Sequence, residues 1–167
     1  MATTIGTVTL DNNMVWTDEF KYSKVREPYN FIENHTMVSA EHVNSEGAMI
    51  VVNYILQKQG LNNWIIIARY KDEEDIKVGD ARTYLDFETI QKAVDEGKEA
   101  WRLESFMMVK EDSKLFGFSE NDTYVQKQPD ENFIKIAHKG NIYKVYFYQP
   151  AKSGAEGIWA IQRIERQ

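Results

Sequence analysis

"YKVYFYQPAKSGAEGIWAIQRI", residues Tyr143–Ile164, is the stretch that most restricts the fold of this 167-residue chain. Two apolar runs, rich in aromatic and β-branched residues, flank one polar loop, and such residues favour strands. Pro150, Gly154 and Gly157 are typical of the loop between two strands. The pattern therefore predicts a β-hairpin that closes the C-terminal sheet.

The residues before this hairpin predict two more strands and two helices. "HKGN" (138–141) is typical of a tight turn that joins two neighbouring strands. A first helix would begin after the cap Asp86 and end at Gly97, and a second would cover Ser105–Phe116. Their inward-facing residues would be Phe87, Ile90, Ala93, Val94, Phe106, Val109 and Phe116. This half of the chain should be two helices packed on an antiparallel meander.

The first half of the chain is rich in β-formers. Residues 4–10 and 14–16 predict a hairpin about the turn 11–13, and residues 17–36 look like a long connection. Ala48–Gln57 fits a strand or a helix, and its Ile-Val-Val content favours the strand. The predicted class is α+β, with a β-rich region 1–78 followed by the helix and meander region 79–167. One continuous domain is the alternative.

Composition and charge exclude several classes of protein. Hydrophobic residues make up 43% of the chain, enough for a packed core, and there is no cysteine for disulfides or thiolate chemistry. Twenty basic against 26 acidic side chains give a net charge of -6, so we expect no nucleic-acid partner. No secretory signal or membrane-spanning run is visible. We expect a soluble protein of the cytoplasm or a virion.

Catalytic and metal motifs are missing from the sequence. His35, His42 and His138 lack the close spacing of metal ligands, and the acidic run Asp72–Asp75 lacks the register of a calcium loop. No nucleophile elbow or phosphate-binding glycine loop is present. We therefore expect no catalytic residue, no metal and no cofactor, and the chain is predicted not to be an enzyme.

Aromatic residues of the second half are the candidates for contact with a partner. On a strand, Tyr143 and Phe147 share one face and Tyr146 and Tyr148 take the other. The second face would carry tyrosines among lysines, either as an ordinary amphipathic surface or as a contact patch. The predicted contact residues are Tyr146, Tyr148, Trp101 and Trp159.

Two resemblances add to this interpretation. "IQKAVDEGKEAWRLESFMMVKEDSKLFGF" followed by "IAHKGNIYKVYFYQPAKSGAEGIWAIQRI" resembles a C-terminal module of uncharacterised secreted proteins and lipoproteins of Bacillus-like bacteria. The shared pattern is a D-x-G and W-R-L helix pair, a strand that ends in Q-P, a glycine loop and G-I-W. This resemblance covers about the last 80 residues and implies a fold but no function. The chain lacks the leader and the lipid-attachment cysteine, so an envelope location is not implied.

The opening "IGTVTLDNNMVWTDEF" resembles the first strands of small tail-associated proteins of phages and prophages. It implies a structural component that works through protein–protein contacts. The predicted function is accordingly binding or assembly without catalysis, with a protein partner or self-association. A bacterial sensor or ligand-binding domain with a small-molecule pocket is one alternative, and a small acidic immunity or inhibitor protein is another.

Overall fold

A computed structural model describes residues 7–9, 23–25, 29–43, 46–61, 63–71, 75–126 and 131–167. The chain divides into two compact units, residues 1–80 and residues 81–167. Each unit has its own sheet, and the two are described in turn.

The described residues of the first unit form a seven-stranded sheet. The strand order is β1-β6-β5-β4-β2, with β3 also paired to β4 and β7 to β6. The pairing of β1 with β6 is parallel, and the other pairings are antiparallel. The strands are β1 (Thr7–Thr9), β2 (Ser23–Val25), β3 (Tyr29–Ile32), β4 (His35–Val43), β5 (Met49–Lys58), β6 (Asn63–Lys71) and β7 (Lys77–Val78).

The centre of this sheet buries apolar side chains on both faces of β5 and β6. Ile55 and Ile67 are fully buried, and Leu56 and Ile66 are nearly so. A shift of register between Ile55 and Leu56 marks a bulge, where consecutive residues are both buried. Strands covered on both sides lose the alternation of apolar and polar residues, so the stretch around Ile55 fits two interpretations in sequence. The structure shows the strand, which its β-branched content favours.

The predicted long connection over residues 17–36 is wrong for its described part. β2, β3 and the start of β4 lie there, and β3 and β4 form a hairpin about Glu33 and Asn34. Asn34 has a φ of 60°, as a tight hairpin turn requires. A second register shift, between Asn30 and Ile32, breaks the alternation that would have signalled a strand. The predicted turn 11–13 and the strand after it lie outside the described residues.

The second unit contains two α-helices and a four-stranded antiparallel sheet of order β11-β10-β9-β8. Three short 3₁₀ turns, Ala81–Thr83, Ala100–Leu103 and Ser113–Phe116, adjoin the helices. The elements are α1 (Phe87–Asp95), α2 (Ser105–Asp112), β8 (Thr123–Val125), β9 (Phe133–His138), β10 (Asn141–Tyr148) and β11 (Ala160–Arg166). The mixed α+β class with a predominance of strands is confirmed.

Local signals set the ends of the helices. The carboxylate of Asp86 accepts the Thr89 N–H at 3.1 Å and the Thr89 hydroxyl at 2.8 Å, and these bonds lower the pKa of Asp86. Gly97, with a φ of 82°, follows the end of α1. The second helix was predicted to reach Phe116, but its α-helical part ends at Asp112 and continues as a 3₁₀ turn. Within the described ranges, no helix is both long and apolar enough to cross a membrane.

One face of the C-terminal sheet forms the core of the second unit. Ile134, Ile136 and Val145 are fully buried there, and α2, whose Met108 is also fully buried, contacts β10 and β11. Burying an aliphatic side chain of this size stabilises the folded state by roughly 1.5–3 kcal/mol. The core thus fixes which residues of each strand face the opposite side of the sheet.

Candidate functional site

The side of the C-terminal sheet opposite this core carries the candidate site. Side chains alternate along β10, so Val145 points into the core while Lys144 and Tyr146 point to the other side. Tyr143 and Phe147 share the side of Val145: Tyr143 lies edge-on to Phe118, with ring centroids 5.2 Å apart. Lys144 and Tyr146 remain half-exposed.

The strand register surrounds Lys144 and Tyr146 with residues of β9 and β11. Tyr146 is directly opposite Phe133 on one side and Arg163 on the other. Lys144 is directly opposite Lys135 and Glu165. We call these six residues the outer-face patch: Phe133, Lys135, Lys144, Tyr146, Arg163 and Glu165.

Aromatic rings and cations alternate across the outer-face patch. The rings of Phe133 and Tyr146 are 5.5 Å apart between centroids and tilted by 58°. The guanidinium carbon of Arg163 lies 3.6 Å from the centre of the Tyr146 ring. The ammonium groups of Lys144 and Lys135 lie 5.0 and 5.8 Å from the Phe133 ring. Each is within the range of a cation–π interaction, so the rings and cations are held in a fixed order.

A surface ion pair orients the arginine of the patch. Arg163 Nε donates to Glu165 Oε1 at 2.7 Å, and this bond holds the pKa of Glu165 below its usual range. The Arg163 side chain is 49% exposed, so the pair contributes little to stability. With three cations and one carboxylate, the patch is a locally positive area on a chain whose net charge is -6.

The predicted contact residues occupy different sides of the unit. Tyr146 lies in the outer-face patch, and Tyr148, two residues along β10, points to the same side and is half-buried. Trp159 packs edge-on against Phe147, which is on the core side, with ring centroids 5.3 Å apart. The structure therefore brings the two tyrosines together but does not bring Trp159 to them.

Both tryptophans are tied to the 3₁₀ turn Ala100–Leu103. The indole N–H of Trp159 donates to the carbonyl oxygen of Leu103 at 3.1 Å. Trp101 is half-buried, and the guanidinium carbon of Arg102 lies 4.3 Å from the centre of its ring. These contacts attach the turn to the residue before β11. A role of Trp101 and Trp159 in binding stays a prediction.

Phe133, Lys135 and Arg163 were missed as contact residues by the sequence reasoning. Their signal is the alternation in "NFIKIAH" and "AIQRIER", which places them on the exposed side of their strands. Only the register shows that they adjoin Tyr146, and the register of three strands is not visible in sequence.

Two glutamines hold the loop 149–159 between β10 and β11. Gln149 Nε2 donates to the carbonyls of Gly154 at 2.7 Å and Gly157 at 2.8 Å, and its Oε1 accepts the Gly154 N–H at 2.9 Å. The buried Gln91 donates to the Glu156 carbonyl at 2.9 Å and accepts the Ile158 N–H at 3.2 Å. The loop is thus attached both to itself and to α1, just before β11 enters the sheet.

A buried ion pair lies behind the helices. Arg102 donates to Asp112 at 3.0 Å and to Glu99 at 2.9 Å, and Arg102 and Asp112 are both buried. Burial raises the pKa of Asp112, because desolvation outweighs the attraction of the guanidinium. This pair joins the 3₁₀ turn to the end of α2. Its position and partners indicate a structural role.

The histidines are less exposed than the sequence reasoning assumed. His35 was expected to face solvent but is buried, and its Nδ1 lies 2.8 Å from the carbonyl oxygen of Glu33. His138 is half-buried, with its Nδ1 2.7 Å from Asp122 Oδ2, and that carboxylate also accepts the Ser119 N–H at 2.6 Å. The Asp122 carboxylate fixes the orientation of the His138 ring and joins β9 to the turn before β8. The described residues contain no group of three or more potential ligands that could hold a metal ion.

No protein-family model, curated protein or solved structure matches the chain. The two resemblances drawn from the sequence therefore stay predictions.

Proposed function

We propose that this chain is a non-enzymatic binding or assembly protein that acts through protein–protein contacts at the outer-face patch. The observation that supports the proposal is the alternation of two aromatic rings and three cations on neighbouring strands. Tyrosine and arginine are enriched in the residues that dominate binding energy, because they bury a large area and donate hydrogen bonds. The N-terminal resemblance would make the chain a phage or prophage tail-associated component.

The order of the patch favours binding over an ordinary exposed sheet surface. Tyr146 lies between the Phe133 ring and the Arg163 guanidinium, so its side chain has little rotamer freedom left to lose on binding. Glu165 holds Arg163 in the same way, by a direct hydrogen bond. A surface arranged in advance binds at a lower entropic cost than one that must be ordered by its partner.

Binding of purified proteins tests this proposal. The chain and the products of its neighbouring genes are combined in pairs, and complexes are detected by size-exclusion chromatography with light scattering. We expect a complex that is lost in the double variant Phe133→Ser/Tyr146→Ser. Leu61→Ser is the matched control, because Leu61 is an apolar side chain that is 89% exposed in the other unit.

Two results would contradict the proposal. One is a complex that survives the loss of both rings, and the other is the absence of any complex of the chain with itself or with a neighbouring gene product. The melting temperature of each variant is measured in parallel, so that a loss of binding is not confused with a loss of the fold. The alternatives of a ligand-binding domain and of an immunity or inhibitor protein stay predictions.

A further inference from the structure

We infer that the outer-face patch binds the acidic run Asp72–Asp75 of a second copy of this chain, in a head-to-tail contact. The inference rests on the proposed function, because it names the partner of the same patch. It concerns a polypeptide partner that presents consecutive carboxylates, and the chain itself contains such a segment.

An unfavourable pair of like charges in the patch calls for an anion. Lys135 and Lys144 are directly opposite each other in the register of β9 and β10. Like charges in this position destabilise a sheet. Among the described residues neither ammonium group forms an ion pair, and both are near the Phe133 ring instead. A carboxylate placed between the two ammonium groups would relieve the repulsion and form charge-assisted hydrogen bonds with both.

The dimensions of the patch fit a short acidic segment. Its three cations lie on β9, β10 and β11, which are neighbours in the sheet. Three adjacent strands span about 10 Å, since strands are roughly 4.8 Å apart. Four extended residues span about 13 Å at roughly 3.3 Å per residue. A run of four acidic residues can therefore present carboxylates to all three cations at once.

The charge of the chain is divided in the same sense. Residues 1–80 contain 12 acidic and 7 basic side chains, whereas residues 81–167 contain 14 acidic and 13 basic ones. Asp72, Glu73, Glu74 and Asp75 make up the densest acidic segment, and in sequence they lie between β6 and β7. An acidic first unit and a basic patch on the second unit are complementary between two copies. Such a contact joins different surfaces, so it produces rings or filaments.

Nucleic acid is the other polyanion that such a surface attracts. A sheet face with aromatic rings among cations is the usual platform for single strands. The net charge of -6 disfavours it, because a long polyanion also meets the acidic remainder of the chain. A short acidic segment interacts only with the patch, since charges beyond about 8 Å are screened at physiological ionic strength.

Sedimentation velocity of the full-length protein tests the inference. From micromolar to several hundred micromolar protein at low salt, we expect association that increases with concentration and weakens on addition of salt. The patch variant Lys135→Gln/Lys144→Gln and the run variant Glu73→Gln/Glu74→Gln should each be monomeric. Their equimolar mixture should form dimers and nothing larger, because it retains one intact patch and one intact run. The control variant Lys58→Gln/Lys92→Gln removes two exposed lysines elsewhere and should associate like the wild type.

Three outcomes would overturn the inference. A wild-type chain that is monomeric at every concentration excludes the self-contact, and so does association that persists in both variants. Patch-dependent binding of a fluorescein-labelled oligothymidylate, without self-association, would assign the patch to nucleic acid. If the wild type is monomeric but a neighbouring gene product binds through Phe133 and Tyr146, the inference fails and the proposed function stands.

Discussion

Replacement of Gly157 by alanine tests how closely the loop before β11 is packed. A Cβ atom at this position would lie 1.8 Å from the carbonyl oxygen of Lys152 and 2.9 Å from Gln149 Nε2. Ordinary contacts between carbon and oxygen are about 3.3 Å or longer. The oxygen belongs to the backbone, so a change of rotamer cannot relieve the overlap. The two backbone segments of the loop must move apart by roughly 1.5 Å if contacts of this length are to be restored.

The cost of this movement follows from the bonds that it breaks. Gln149 makes three hydrogen bonds across the loop, at 2.7, 2.8 and 2.9 Å. At about 0.5–1.5 kcal/mol for each bond, Gly157→Ala should lower the free energy of unfolding by roughly 2–4 kcal/mol. Gly154→Ala is the matched control, because Gly154 has a φ of 97° and a Cβ atom added there would meet no atom within 4 Å. It should cost about 1–2 kcal/mol, from backbone conformation alone.

Urea denaturation followed by tryptophan fluorescence measures both variants. A double variant Gln149→Ala/Gly157→Ala completes the comparison: if the overlap acts by breaking the bonds of Gln149, the second substitution adds little to the first. The reasoning is refuted if Gly157→Ala is no more destabilising than Gly154→Ala, or if the effects of the Gln149 and Gly157 substitutions are additive.

Two further predictions concern charged groups of the second unit. Arg102→Met leaves the buried Asp112 carboxylate without this cation and should lower stability by about 3–5 kcal/mol at neutral pH. The pKa of Asp112 is raised by burial, so the folded protein holds this proton more tightly than the unfolded chain, and stability falls as pH rises through the raised pKa. The penalty of Arg102→Met, measured by urea denaturation, should therefore be smaller near about pH 4 than at neutral pH; an equal or larger penalty in acid would count against this account. Asp86→Ala should destabilise α1 at neutral pH, because the N-terminal cap is lost. Since hydrogen bonds lower the pKa of Asp86, its contribution is present above the ordinary aspartate pKa and is lost as pH falls through the lowered value, so thermal melts of the two proteins should converge in acid.

The sequence predicted those parts of the fold that depend on local signals. α1 was predicted from the cap Asp86 and the stop Gly97, and the β9–β10 turn from Gly140, whose φ is 81°. β3 was missed because a register shift interrupts its alternation just before the turn at Asn34. Periodicity detects a regular strand, and a bulged one gives no such signal.

The candidate site was predicted only in part for a related reason. Tyr146 was identified from the alternation of its own strand, which is a local property. Phe133 and Arg163 lie 13 and 17 positions away in the chain, and they become its neighbours only through the register. The register is fixed by burial of the opposite face, where Ile134 and Val145 are directly paired and fully buried. The composition of the patch is therefore a consequence of the core, and a sequence that does not reveal the pairing cannot reveal the patch.

The same separation of faces makes stability and binding independent in this unit. The apolar residues that stabilise the sheet lie on the core side, and the Gln91 and Gln149 bonds fix the loop from which β11 begins. The charged groups of the patch contribute little to stability, and the opposed lysines even reduce it. Lys135→Gln/Lys144→Gln should therefore leave the free energy of unfolding unchanged or slightly raised while it abolishes self-association. A variant that loses both equally would show that the cations serve the fold, which is the outcome that this division of faces excludes.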